Sequence, residues 1–443
     1  LAYLVRGMLE EGADTGYLER HASDVDRLEE AVAPYDGETA ARECGVEHSE
    51  LRVLLASVRR AGKVAGQTGT GVSMSAAANV SEWLLWALHI VTGSHDQPGG
   101  TWFNPGYLKQ LDTRTFAPCD GTPGPGPDSR PDIPGRWGEI PCAAMTDEIE
   151  AGQVRALIVC GGNPMRAFPD TERVEAALRQ LEVLAVADVI ETDTSALATH
   201  VLPVTGQLER ADVPLYLDQF MPSVATRFTP AVVAPGSDRR HLWWAIAALA
   251  DRLDLDVIPV GLDLETCDEQ DLLKIVADRS RSRFEELEQA RVLIDAPSEI
   301  GWVLDRVVPD GGWRLAPDPL VEQLASLGEP PSLAMIPRRQ MRHLNSSVPA
   351  TQGKRHDQPW VLIHPEDAAG SGVVEGAEIE IRSPTGSLRA TARLDENIRP
   401  GAISVPHGFG EPNVGRLTSP VEGVDPLTGM VLQSGIPVTI AAV

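Results

Sequence analysis

Cysteine is scarce in this chain and never falls in a metal-binding spacing. The 443 residues hold five, at Cys44, Cys119, Cys142, Cys160 and Cys267. Their number is odd and no CxxC occurs, so the sequence encodes neither a disulfide framework nor an iron–sulfur or zinc site. Such usage fits a reducing compartment, and a cytoplasmic location is the expectation. Basic residues are also short: 38 Lys and Arg stand against 64 Asp and Glu, a net charge of −26. That sign excludes a broad surface for nucleic acid or anionic membranes, and leaves room only for a local basic pocket. No apolar run approaches the roughly 20 residues that cross a bilayer. Solenoid repeats are absent, and so is GxGxxG followed about 20 positions later by an acid, which removes the nicotinamide-dinucleotide fingerprint. The opening LAYLVRGMLEEG is no signal peptide: Arg6 breaks a short apolar patch, acids follow, and nothing resembles a cleavage site. With no methionine at position 1 it reads as a helix already under way, and the chain is expected to be the later part of a longer protein.

What is present is ordinary globular material, 42% hydrophobic and 23% charged. The length leaves room for roughly two to four domains. The most informative stretch is 154–209. Two short apolar runs, ALIVCGG and EVLAVAD, flank a segment with helical spacing at Val174, Ala177, Leu178 and Leu181. That pattern predicts a strand, a crossover helix and a second, parallel strand. Both strands break at their carboxyl ends into polar loops, Gly161-Gly162-Asn163-Pro164 and residues 188–194. Open parallel sheets bind ligands outside those ends, so part of a ligand is expected there. Cys160, at the end of the first apolar run, reads as a core thiol.

Elsewhere the pattern is mixed. Residues 1–60 are helical, with helices near 4–11, 25–33 and 49–60, and 63–68 is a strand candidate. Gly69-Thr70-Gly71 follows it, either a backbone cradle for an anion or a plain tight turn. Residues 81–93 predict a helix with Ser81 as N-cap and Gly93 as its stop. From 95 to 142 Gly and Pro abound, the mark of a long irregular loop, functional or connecting. Residues 215–235 alternate like strands, 241–253 predict an apolar helix with Trp243 and Trp244 in packing roles, and 263–330 is acidic and helical. From about 337 short strands and turns take over. VEGAEIEIRSPTGSLRATARL alternates with period two around Pro384-Thr385-Gly386, a hairpin signal within a small β-barrel texture.

Four groups of residues, in this order, resemble the molybdopterin oxidoreductase superfamily, the dimethyl-sulfoxide-reductase type that includes formate dehydrogenases and nitrate reductases. They are Gly69-Thr70-Gly71 with Val91-Thr92-Gly93 and Pro98-Gly99-Gly100; Gly162-Asn163-Pro164 with Pro169; Asp188, Thr192, Thr194 and Leu202-Pro203, closing on Glu209; and a terminal set. The terminal set comprises Arg342, Asn345, His364-Pro365-Glu366-Asp367-Ala368-Ala369, Val374-Glu375-Gly376 and Asp425-Pro426-Leu427-Thr428-Gly429. The resemblance extends over nearly the whole chain and corresponds to the C-terminal two-thirds of a catalytic subunit.

The resemblance implies α/β domains with mainly parallel sheets, then a C-terminal small β-barrel of the double-psi type. It divides the chain into the remaining half of a molybdopterin-binding domain (1–107), an α/β dinucleotide-binding domain (108–215), a connecting region (216–336) and a terminal dinucleotide-binding barrel (337–443). The implied cofactor is molybdenum or tungsten held by two molybdopterin guanine dinucleotides. The implied activity is two-electron or oxygen-atom transfer on a small substrate. Implied contacts are Asp188 to guanine; Thr192, Thr194 and the Gly162-Asn163 backbone to ribose and pyrophosphate; Gly69 and Thr70 in the earlier turn; and Arg342, Asn345, Ser347, His407 and Asn413 from the barrel. His407 is equally readable as a packed turn residue, and His343 and His364 as structural. The 4Fe–4S cluster and the protein ligand to the metal are expected only in a preceding part, and electrons would pass from that cluster to a partner protein or domain. A different reading of the same fold is a non-catalytic scaffold, as in the large iron–sulfur subunit of respiratory complex I. Two local departures stand out. Where formate dehydrogenases carry Arg-Gly-Gln-Asn, this chain has Asn104-Pro105-Gly106-Tyr107-Leu108-Lys109-Gln110, and the usual Ala-Asp before the LP pair is Ala198-Thr199-His200.

Overall fold

The βαβ pattern of 154–209 folds as its spacing predicts. In the computed structural model, which describes residues 1–114, 124–135, 138–236, 238–296, 300–308, 312–340, 345–346 and 359–443, strands β1 (Ala156–Cys160), β2 (Val183–Asp188) and β3 (His200–Pro203) form a parallel sheet in that order. Val159, Val186 and Val201 are in register across it. The crossover helix Thr171–Leu178 starts at Asp170, whose side chain accepts the Arg173 N–H. Its spacing puts Val174, Ala177 and Leu178 on one face, where they pack with Val159, Leu184 and Val186. Each buried aliphatic side chain contributes about 1.5–3 kcal/mol. Cys160 is exposed, not a core thiol. It alternates with Val159 on the edge strand, on the face the helix leaves uncovered, together with Ile158, 44% exposed.

That sheet belongs to a unit made of Thr68–Asn79, Gly121–Pro203 and Ser326–Val443. Its other component is a seven-stranded mixed sheet of β4 (Ala334–Arg338), β5 (Val361–Ile363), β6 (Glu378–Arg382), β7 (Ser387–Leu394), β8 (Ala402–Pro406), β9 (Ile436–Pro437) and β10 (Thr439–Ala442). The order is β9-β4-β8-β5-β7-β6-β10. β4–β8 and β5–β7 are parallel and the other neighbours antiparallel. Its first and last strands are one stretch of chain, parted only by Val438, so the sheet curls back upon its own beginning. Met335, Ile363, Ile379, Ile381, Ile403 and Val405 fill the inside. The hairpin turn stands where the alternation puts it, with Arg382 opposite Ser387 and the Ser383 N–H bonded to Gly386 O at 2.8 Å.

The other unit, Leu1–Gln67, Val80–Asp120 and Val204–Ala325, is mainly helical. Helices Ala2–Glu10, Val25–Val32 and His48–Ala61 match expectation. Thr15–His21 and Gly37–Cys44 are added, each started by an aspartate, Asp14 or Asp36, that accepts a first-turn N–H. Residues 63–68 form no strand. Their bonds go to the helix end beside them, Lys63 Nζ to Gly93 O at 2.5 Å and Val64 N to Ser94 Oγ at 3.0 Å. The helix there is Ala78–Val91, so Ser81 lies inside it and is not the cap, while Gly93 takes the left-handed φ of +60° that a stop needs. Residues 215–235 contain one short strand, Ala225–Arg227, paired with Val292–Ile294. What precedes it turns through Asp218–Phe220, because the fully buried Asp218 carboxylate gathers the N–H groups of Tyr107, Leu108 and Lys109 at 2.8–3.0 Å. Among the described residues no helix is long and apolar enough to cross a membrane.

Candidate functional site

The carboxyl ends of β1 and β2 carry two loops with different characters. After β1, Gly161 has a φ of +64° and its N–H bonds Ala187 O at 2.8 Å. A Cβ at Gly161 would meet nothing within 4 Å, and at Gly162 only Val159, at 3.8 Å. The backbone here is open to close approach by a ligand. After β2, Asp188 is half-buried and one carboxylate oxygen accepts the Val189 N–H at 2.6 Å. Its other oxygen has no protein hydrogen bond among the described residues, so an acceptor remains at the end of the strand. Thr192 and Ser195 exchange bonds, Thr192 N to Ser195 Oγ at 2.7 Å and Ser195 N to Thr192 Oγ1 at 3.1 Å.

Between the two loops lies a buried polar knot. Asn163, 3% exposed, accepts from Thr194 Oγ1 at 2.8 Å and Thr194 N at 3.3 Å, and Thr194 Oγ1 in turn accepts the Met165 N–H at 3.2 Å. Asn163 Nδ2 reaches Asp193 Oδ2 at 3.2 Å. Arg166 closes the knot: its Nε pairs with Asp193 Oδ2, and its Nη1 donates to Gly408 O at 3.2 Å. Burial pushes the Asp193 carboxyl up, but the Arg166 and Asn163 bonds outweigh it and hold the group below its ordinary range. Asn413 adds a second tie, Nδ2 to Met165 O at 2.8 Å, while its Oδ1 accepts the Gly415 N–H at 3.0 Å. Burial, then the nearby Arg339, lowers the His407 imidazole below its usual value, so it is held neutral.

The sequence-predicted residues therefore separate. Gly162, Asn163, Asp188, Thr192 and Thr194 share the two loops, and Asn413 and the Gly408 turn are bonded to the same region. Asn345 takes a left-handed φ of +49°, and its carbonyl lies 2.0 Å from where a Gly408 Cβ would stand. Gly69 and Thr70 are exposed at the start of the short helix Thr70–Ser73. That stretch is bonded through Met74 O to Gln433 N and Ser434 N at 3.1 and 3.0 Å, and no hydrogen bond joins it to the Asn163 knot among the described residues. His364 is structural, accepting the Glu366 N–H as a helix cap. Arg342, His343 and Ser347 lie outside the described residues. Sequence reasoning missed Arg166 and Asp193. The available signal was a lone Arg two places after Asn163-Pro164 and an acid set between Thr192 and Thr194.

Comparison with known proteins falls on the same regions. Residues 51–252 match the family model "Molybdopterin oxidoreductase" and residues 333–436 match "Molydopterin dinucleotide binding domain". The chain belongs to the molybdopterin oxidoreductase family. It is 25% identical over 440 residues to the NADPH-Fe(3+) oxidoreductase subunit alpha of Geobacter sulfurreducens, covering 96% of this chain and 48% of that one. It is 24% identical over 286 residues to the F420-dependent formate dehydrogenase 1 subunit alpha of Methanococcus maripaludis, covering 61% of this chain and 41% of that one. The chain thus spans about half the length of these curated relatives. Acetylene hydratase from Pelobacter acetylenicus shares the fold, with a TM-score of 0.79, 17% identity, and coverage of 100% of this chain and 70% of that one.

Proposed function

We propose that this molybdopterin oxidoreductase chain holds the guanine dinucleotide ends of a bis(molybdopterin guanine dinucleotide) cofactor of molybdenum or tungsten, in an enzyme for two-electron or oxygen-atom transfer on a small substrate. The observation that carries this is the pairing, at the ends of β1 and β2, of an open Gly161-Gly162 backbone with an Asp188 carboxylate that keeps an acceptor in hand. Guanine offers N–H donors on its Watson–Crick edge, and a strand-end carboxylate suits them. The Gly161 N–H is bonded to Ala187 O, and the Gly162 N–H beside it is the backbone donor that suits a pyrophosphate. When bound, the metal and pterin supply the redox chemistry, and the protein orients them. In this reading Asp188 takes the base, Thr192 and the Gly162-Asn163 backbone face ribose and phosphates, and Thr194, fully buried with its hydroxyl spent on Asn163 and the Met165 N–H, supports the loop and does not contact the ligand. Gly69 and Thr70 contribute the earlier turn. Asn345, His407 and Asn413, with Arg342 and Ser347, line the terminal domain's share, a double-psi barrel over 337–443. The α/β dinucleotide domain is 108–215. The 1–107 segment is the remaining half of an α/β molybdopterin-binding domain, and 216–336 connects.

A small substrate other than formate fits better. The loop in the place of the formate-gripping Arg presents Asn104, whose Nδ2 is spent on Met221 O and Ser223 O at 2.8 Å, and Lys109, bonded to Gln219 Oε1 at 2.7 Å. The relatives are named as subunits, which supports an electron-transfer partner, fed by a 4Fe–4S cluster outside this sequence. Asp188→Ala in the complete protein tests the pocket. Pterin and metal content per chain is expected to fall several-fold, about 1–3 kcal/mol of retained affinity for a lost hydrogen bond to a charged acceptor. Unchanged content would remove Asp188 from the site.

A further inference from the structure

We propose that Arg166 and Asp193 form a positioning latch that fixes the two ligand loops against the Gly408 turn, so that the nucleotide pocket exists before its ligand arrives. The inference rests on the dinucleotide reading of the same site. Three observations carry it. Arg166 bridges separate segments, pairing with Asp193 in the loop after β2 and donating to Gly408 O beyond β8. Its side chain is only 13% exposed although it carries a charge, a cost that is recovered only if both partners stay in place. The Gly408 turn has no slack: its φ is +91°, Asn345 O fills the space of a Cβ, and at Gly410 a Cβ would lie 3.3 Å from the Arg166 guanidinium. Asn163 adds the neutral part of the latch, since it holds Thr194 through Oδ1 and Asp193 through Nδ2.

Neither residue needs to touch the ligand. Binding to loops already in position avoids the ordering cost that mobile loops incur. Cutting the latch should therefore release the ligand faster without proportionate loss of fold. The same logic separates Arg166 from a core residue such as Leu178, on the crossover helix that packs against the sheet, whose truncation loosens the packing but leaves both loops tied.

The test uses the complete protein as isolated, with Arg166→Met, Asp193→Asn and, as the packing control, Leu178→Ala. Nucleotide retention during prolonged dilution is read as GMP liberated by acid from the protein fraction, and thermal midpoint is read beside it. Arg166→Met and Asp193→Asn are expected to shed nucleotide about tenfold faster than the parent, the effect of about 1.4 kcal/mol. Leu178→Ala is expected to lower the midpoint with parental retention. Asp193→Asn is nearly isosteric and carries the test if Arg166→Met fails to fold. Parental release rates in the latch variants overturn the latch while leaving the dinucleotide reading intact. Equal acceleration by Leu178→Ala also overturns it, because the effect is then general loosening. A parent protein that yields no GMP overturns the dinucleotide reading, and the latch with it.

Discussion

Asp188 and Thr194 share one loop and divide its work. Asp188 is half-buried and keeps acceptor capacity facing outward, whereas Thr194 is fully buried and spends its hydroxyl on Asn163 and the Met165 N–H. Thr194→Val keeps the shape and deletes the hydroxyl, leaving a buried N–H and one amide oxygen short of partners. The expected loss is about 1–3 kcal/mol, read as a lower denaturant midpoint at unchanged slope. A second residue-scale prediction concerns the buried histidines of the helical unit. Burial, then the neighbouring His89, depresses the His95 imidazole from 6.5 to about 4, and burial also lowers His89. The unfolded chain therefore binds protons that the folded one refuses. The contribution is fully present above about pH 6.5 and is lost as the pH falls through about 4, on the order of 3 kcal/mol for His95 alone. Thermal midpoints should drop between pH 7 and 4.5, and His95→Phe should flatten that slope. An equally steep slope in the variant would show that His95 is not its source. Asp188 and Thr194 stand out in the sequence, but the histidine burial does not: a histidine in a one-dimensional pattern does not reveal how deeply it will be buried.

Among the elements, legibility followed the range of the interactions that make them. The crossover helix, the 156–160 and 183–188 strands and the hairpin at 383–386 are encoded by local spacing and turn chemistry, and all stand where the residues put them. The strands expected at 63–68 and through most of 215–235 did not form. A strand exists only with a partner. Lys63 and Val64 found theirs in the end of a helix, and the run before Ala225 was bent around buried Asp218. Cys160 was misjudged for a related reason. Alternation told which residues share a face, but only packing decides which face the helix covers. The Gly408 turn gives an element-scale prediction. With φ at +91° and a Cβ position 2.0 Å from Asn345 O, Gly408→Ala must move backbone as well as accept strain, and should cost about 2 kcal/mol or more. An unaltered thermal midpoint would show that the turn is softer than its contacts indicate.

At the scale of the whole molecule, the family was legible because its marks are many, short and in fixed order, from Gly69-Thr70-Gly71 to Asp425-Pro426-Leu427-Thr428-Gly429, and the matched regions 51–252 and 333–436 contain most of them. The assembly was not legible. Each unit gathers three distant stretches of chain, and nothing in local spacing states that 163–166 will meet Gly408. Against the acidic balance of −26, Arg166 is a cation held beside the two ligand loops and kept there by its pairing with Asp193. The central claim is that this protein carries a metal through pterin guanine dinucleotides. The most direct test is elemental and pterin analysis of the complete purified protein. The account predicts molybdenum or tungsten, with two GMP-releasing pterins for each metal ion; a folded preparation with neither metal nor extractable pterin would contradict it and favour a scaffold role.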